Sequence, residues 1–275
     1  MKLRQNHPIL DRLKIILILL MVLFLLTGLA GYLEKRNNSQ KVSTIENLIR
    51  TALEPVGSTM YIWGGGWDEE DSTSGSGSTC IGVSPKWKSF AEQQDETYDF
   101  NQHRYERQNG LDCSGFVGWV VYNIFESKNE KEGYVTTSTY MAENFAERGW
   151  GTFIKNPQEF LPGDIVSMEG HVWISLGTCA DGSVLLVHSS PPGVSICGTQ
   201  LEDGKESIAS GIAKEYMSQV HPKWQELYPN RMVSQSYLQN VSVMRWNEET
   251  MTDVEEIQKM SGEDVAKMIL GINSF

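Results

Sequence analysis

The sequence predicts an α+β domain in which a cysteine-bearing central helix packs on an antiparallel sheet, preceded by one transmembrane helix. Three observations predict it. An uncharged apolar segment occupies residues 15–33, and a second apolar run, "LDCSGFVGWVVYNIF", spans Leu111–Phe125. A series of short apolar segments separated by Gly turns then follows from Leu161 onward. Helices first and a run of strands afterwards is the α+β arrangement.

Taken in order, residues 1–14 carry Lys2, Arg4, Arg12 and Lys14 and are expected to stay in the cytoplasm. The nineteen residues 15–33 form a helix of about 28 Å, close to the hydrocarbon thickness of a bilayer. This favours an uncleaved signal-anchor and a single-pass location in the cell membrane, with the rest of the chain outside the cytoplasm. The alternative is secretion after cleavage near Ala30, at the small-x-small site Gly28-Leu29-Ala30. Residues 34–43 read as a polar linker, and 44–275 as the folded domain.

Within that domain Thr44 caps a helix whose apolar positions Ile45, Leu48, Ile49, Ala52 and Leu53 share one face. "YIWGGG" is a short strand or turn whose glycines let the backbone approach a neighbour closely. Residues of about 67–110 are polar, with "STSGSGST" near their centre, and read as an insertion, a lid or a partly disordered segment. Ser114–Phe125 is apolar nearly all round, the mark of a buried helix. A second helix is expected over Ser138–Arg148. "LPGDIVSMEGHVWISLG" gives two strands about a Glu169-Gly170 turn, and "DGSVLLVHSS" a third. The tail, 199–275, holds an expected helix near Ala209–Val220, a strand "VSVMRW" and a helix around Val254–Leu270.

Charge and cysteine spacing narrow the function classes. A formal net charge of -12 argues against nucleic acid as a partner. Cys80, Cys113, Cys179 and Cys197 lie far apart with no CxxC or His-x3-5-His pair, so a structural zinc site is not expected; no metal or cofactor is called for. A Cys179–Cys197 disulfide is conceivable if the two flank neighbouring strands.

The chemistry centres on Cys113. A free thiol with a pKa of about 8.5 is only roughly 3% thiolate at pH 7, so a nucleophilic cysteine needs help. A helix N-terminus favours the anion, and a neighbouring histidine can take the proton. Of five histidines, only His171 and His188 fall on predicted strands, where a hairpin sets them side by side. The alternative for Cys113 is a small core residue, and for Asp112 a plain helix cap.

"LDCSGFVGW" resembles the nucleophile motif of the NlpC family of papain-like peptidoglycan peptidases. "LPGDIV…HVWISLG" is similar to that family's base-histidine strands, "LLVHSS" to its third polar position, and "YIWGGG" to its tyrosine–glycine element. The resemblance spans Thr44–Ser190 and implies a papain-like, NlpC-type fold. It implies Cys113 as nucleophile, His171 as general base and His188 as the group orienting it. It further implies Tyr61 near the oxyanion, Asp112 and Ser114 bordering substrate, and Trp173, where relatives carry a small residue, narrowing the pocket. The implied activity is a membrane-anchored bacterial cysteine endopeptidase cutting peptidoglycan stem peptides between γ-D-glutamate and a diamino acid. A CHAP-like N-acetylmuramoyl-L-alanine amidase and an inactive cell-wall-binding scaffold are the alternatives.

Overall fold

The computed structural model describes residues 43–70, 72–125 and 132–273. Thr44 caps α1 (Ile45–Leu53), its hydroxyl accepting from the Asn47 N–H at 3.0 Å, while Ile45, Leu48, Ile49 and Ala52 enter the core. β1 (Met60–Tyr61) leads into the Gly64–Gly66 turn and then the insertion, which holds α2 (Pro85–Ala91). The chain returns through β2 (Gly110–Leu111) to α3 (Cys113–Phe125), buried from Cys113 to Ile124. Next come α4 (Met141–Glu147), β3 (Gly151–Lys155), β4 (Ile165–Met168), β5 (His171–Thr178), β6 (Val184–Ser190) and β7 (Gly193–Thr199). The tail adds α5 (Ile208–Val220), α6 (Pro222–Leu227), β8 (Met232–Val233), β9 (Ser242–Trp246) and a short α7 (Gly262–Val265).

The nine strands among the described residues form one sheet in the order β2-β1-β7-β6-β5-β4-β9-β3, with β8 also paired to β7. The sheet is mixed, which corrects the expected antiparallel one. β1 and β2 run parallel, as do β7 and β8. A parallel pair needs a long crossover connection. The insertion supplies it for the first pair, and α5 with α6 supplies it for the second.

The main core lies between α3, α1 and one sheet face, where Val172, Ile174, Leu185, Val187 and Ile196 meet Phe116, Val120 and Leu48. The opposite face carries a smaller cluster of Phe160, Val166, Trp173, Leu186, Cys197 and Val243. Alternation along β5 explains the split, since successive side chains point to opposite faces. It also separates Cys179, in the main core, from Cys197, in the second cluster; all four cysteines are free, so the conceivable disulfide does not form.

The insertion is folded rather than loose. Trp87 of α2 is fully buried and meets Trp119 of α3 edge to face at 5.9 Å. The expected helix over Val254–Leu270 starts late: Asp253 accepts from the Ile257 and Gln258 N–H groups, Glu256 takes a left-handed φ of 54°, and α7 begins only after the Ser261 cap.

The transmembrane helix expected in the fold, and the membrane location drawn from it, do not stand. Among the described residues no helix is long and apolar enough to cross a membrane. Residues 15–33 and the cleavage site near Ala30 lie outside the described residues.

One contact fixes where α3 begins. A Cβ at Gly115 would sit 2.0 Å from the Gly65 carbonyl oxygen, and one at Gly66 only 2.5 Å from the Gly115 Cα. Two backbones therefore touch where any side chain would force them apart. The full-length Gly115→Ala variant is expected to lose about 1–3 kcal/mol in denaturant unfolding. Gly211, on the exposed side of α5, has open space where its Cβ would go. Gly211→Ala is expected to gain about 0.5–1 kcal/mol, as for any exposed mid-helix glycine.

Candidate active site

The site gathers where the N-terminus of α3 meets the start of β5 and the end of β6. Asp112 caps α3: its Oδ1 accepts from the Gly115 N–H at 2.7 Å and from the Ser114 hydroxyl at 2.9 Å. Its own N–H donates to the Gly65 carbonyl at 3.0 Å, and the Trp67 indole donates to the Ser114 Oγ at 3.2 Å. Asp112 and Ser114 are thus both buried and engaged in positioning the helix start, not in presenting polar groups to a cleft.

Cys113 occupies the first turn of α3. The Val172 and Ser114 N–H groups and the Ser138 hydroxyl favour its anion. Val172 follows His171 directly, so β5 delivers a donor and an imidazole from adjacent residues. His171 begins β5 immediately after the Glu169-Gly170 turn, and His188 lies near the end of β6. Strand pairing brings them together: His171 Nε2 and His188 Nδ1 are 3.1 Å apart, with the rings edge to face. That contact leaves His171 Nδ1 as the ring nitrogen free to exchange a proton with a thiol.

Tyr61 is held from several sides. Its N–H donates to the Pro192 carbonyl at 2.8 Å, its carbonyl accepts from the Tyr98 hydroxyl at 2.6 Å, and its ring stands against Phe100 at 5.3 Å. Tyr98 and Phe100 both belong to the insertion, which therefore steadies a site residue rather than hanging over the site. Burial, then the charges of Cys113 and Asp112, push the Tyr61 phenol well above its ordinary range, so it remains an O–H donor.

Trp173 does not narrow the pocket by facing the thiol. It is fully buried in the second cluster, against Phe160 at 5.5 Å and Tyr237 at 6.4 Å. Tyr237 is the residue that sequence reasoning missed. It lies 5.4 Å from the His171 ring and 5.9 Å from that of His188, and its phenol also feels the Cys113 charge. It sits in a single 3₁₀ turn, Gln235–Leu238, in a tail with no motif to flag it. Ser138, also missed, opens the 3₁₀ turn Ser138–Tyr140 at the start of the expected Ser138–Arg148 helix.

The electrostatics differ from those expected at a helix N-terminus. Burial, followed by the Asp112 charge, pushes the Cys113 thiol up to about 12, although the N–H donors and Ser138 pull the other way. Asp112 thus opposes the dipole at the same helix end. Burial lowers His171 to about 4. Burial lowers His188 as well, with the neighbouring His171 and Arg231 charges adding to it. At neutral pH the resting site therefore holds a neutral thiol and two neutral imidazoles. Among the described residues no group of three or more His, Cys, Asp or Glu side chains gathers in a way that could hold a metal ion.

Compared with known proteins, the chain matches no family model, no curated protein and no solved structure.

Alkylation of Cys113 by iodoacetamide, followed by peptide mass spectrometry, is expected to run more than ~100-fold slower at pH 7 than for a free cysteine. The rate should still be climbing at pH 9; a plateau between pH 4 and 8 would reveal a thiolate–imidazolium pair instead. Asp112 provides a second check. Burial raises its folded pKa from 3.8 to about 6. A raised carboxyl contributes stability that is complete below its unfolded pKa and lost as pH rises through its folded one. Ionised Asp112 then costs up to about 3 kcal/mol above pH 6. Relative to the parent, Asp112→Asn should gain stability between pH 4 and pH 8, read from unfolding curves at each pH.

Proposed function

We propose that this chain is a cysteine endopeptidase that hydrolyses peptidoglycan stem peptides at the γ-D-glutamate–diamino acid bond. Two things support the reading. The motifs around Tyr61, Cys113, His171 and His188 resemble those of the NlpC peptidases in kind and order. The single observation that carries the chemistry is the 3.1 Å His171–His188 contact, which begins one residue before Val172, whose N–H favours the Cys113 anion.

In this mechanism the Cys113 sulfur attacks the scissile carbonyl while its proton passes to His171 Nδ1. For Nδ1 to accept, Nε2 must carry hydrogen and donate to His188 Nδ1, so His188 bears its own proton on Nε2. Because thiol and imidazole start neutral, the proton moves in step with carbon–sulfur bond formation rather than before it. The Arg231 charge favours this state by keeping His188 an acceptor. The Tyr61 hydroxyl and the Cys113 N–H are the donors suited to the developing oxyanion. Collapse of the tetrahedral intermediate breaks the C–N bond, and His171 returns the proton to the leaving amine. Water, deprotonated by the same nitrogen, then hydrolyses the thioester and restores the thiol.

The full-length protein is expected to release stem-peptide fragments from purified peptidoglycan, and Cys113→Ala to reduce release by at least ~10³-fold. Mass spectrometry of the products tests the bond. Fragments ending in glutamate fit an endopeptidase, intact stem peptides starting at L-alanine indicate an amidase, and no release by the parent protein points to a scaffold.

A further inference from the structure

A cavity of about 480 Å³ opens on the far side of His188, between β6, β7 and the 227–237 segment of the tail. His188, Ser190, Ser195, Cys197, Arg231 and Tyr237 supply its polar lining. Arg231 is the anomaly in this wall. It is only 4% exposed, its Nη2 donates to the Tyr228 carbonyl, and its Nε and Nη1 have no hydrogen-bond partner. Among the described residues no carboxylate forms an ion pair with it. Among the described residues the acidic group that acts on its charge is the Cys197 thiol, which burial holds in its neutral form. A buried guanidinium cannot shed its proton, so its charge is left uncompensated in a low-dielectric wall.

A charge in that position asks for an anion. The cavity offers hydroxyls at Ser190, Ser195 and Tyr237 beside the guanidinium, the donor set that holds a planar carboxylate. Tyr237 borders both this cavity and the His171–His188 pair, which sets the cavity next to the histidines. We propose that the Arg231 cavity is a carboxylate subsite that takes the free α-carboxylate of the γ-linked glutamate next to the scissile bond. This rests on the endopeptidase reading and extends it from bond type to specificity. It makes Arg231 a specificity-determining residue, selecting stems with a free glutamate carboxylate over those in which that group is an amide.

The test uses full-length Cys113→Ala, which holds ligand without turning it over. It is titrated calorimetrically with L-alanyl-D-glutamate and with L-alanyl-D-isoglutamine, which differ only in that carboxylate. The acid is expected to bind at least about 10-fold more tightly than the amide, the span of one charged hydrogen-bonded pair. Adding Arg231→Met should erase the preference, and Arg231→Lys should keep part of it. Equal affinities, no binding of either ligand at millimolar concentration, or a preference that survives Arg231→Met overturns the proposal. If Arg231→Met does not fold, the acid–amide comparison on Cys113→Ala together with the lysine variant decides. The two readings also fail separately. A protein that binds the acid selectively but releases nothing from peptidoglycan loses the peptidase reading and keeps the subsite. One that cleaves stems yet binds acid and amide alike loses the subsite alone.

Discussion

The arrangement depends on the place where two backbones touch. Gly65 and Gly66 lie directly against Gly115, and the Asp112 N–H donates to the Gly65 carbonyl across that contact. The contact sets the starting point of α3 and so the position of Cys113 relative to β5. It also sets where the insertion departs, because the same glycine turn carries the chain from β1 towards Trp67. Trp67 then returns a hydrogen bond to Ser114. Helix start, strand edge and insertion are thus registered against one another by groups too small to slide. A helix anchored this way can be buried along its whole length while its first turn still meets the histidine strands.

Burial governs the chemistry as much as the geometry. The features that place Cys113 well also deprive it of water, and water is what stabilises a thiolate. The thiol rises, the imidazole falls, and the carboxyl that caps the helix sits at an intermediate value near neutrality. At neutral pH the thiol and both imidazoles are uncharged, and the ionised Asp112 is the anion at the helix start. Arg231 adds a permanent positive charge near His188, in the wall of the neighbouring cavity.

Much of this could be read from the chain, and the failures have physical causes. The vicinity of Cys113, His171 and His188 is encoded locally, by a helix mouth and by strands joined through recognisable Gly turns. α1 follows from its Thr44 cap and apolar spacing. The mixed sheet could not be read, because the direction of β2 depends on how some forty polar residues fold, and their order rests on buried single aromatics such as Trp87 rather than on any period. Tyr237 and Arg231 lie in a 3₁₀ turn and beside a two-residue strand, elements too short to carry a pattern. Trp173 is placed at the pocket by the resemblance alone, whereas β5 turns its ring into the second cluster against Phe160 and Tyr237. The membrane helix was drawn from apolar length alone, in a region outside the described residues.

The closed, neutral state of Cys113 also bears on durability. Oxidation of cysteine begins from the thiolate and requires access, so a thiol only 6% exposed and held protonated is a poor target for peroxide. Cys80, Cys179 and Cys197 are free thiols that the fold holds apart, and none is joined to Cys113 in a disulfide. The shelter that makes the sulfur slow towards alkylating agents makes it slow towards oxidants as well.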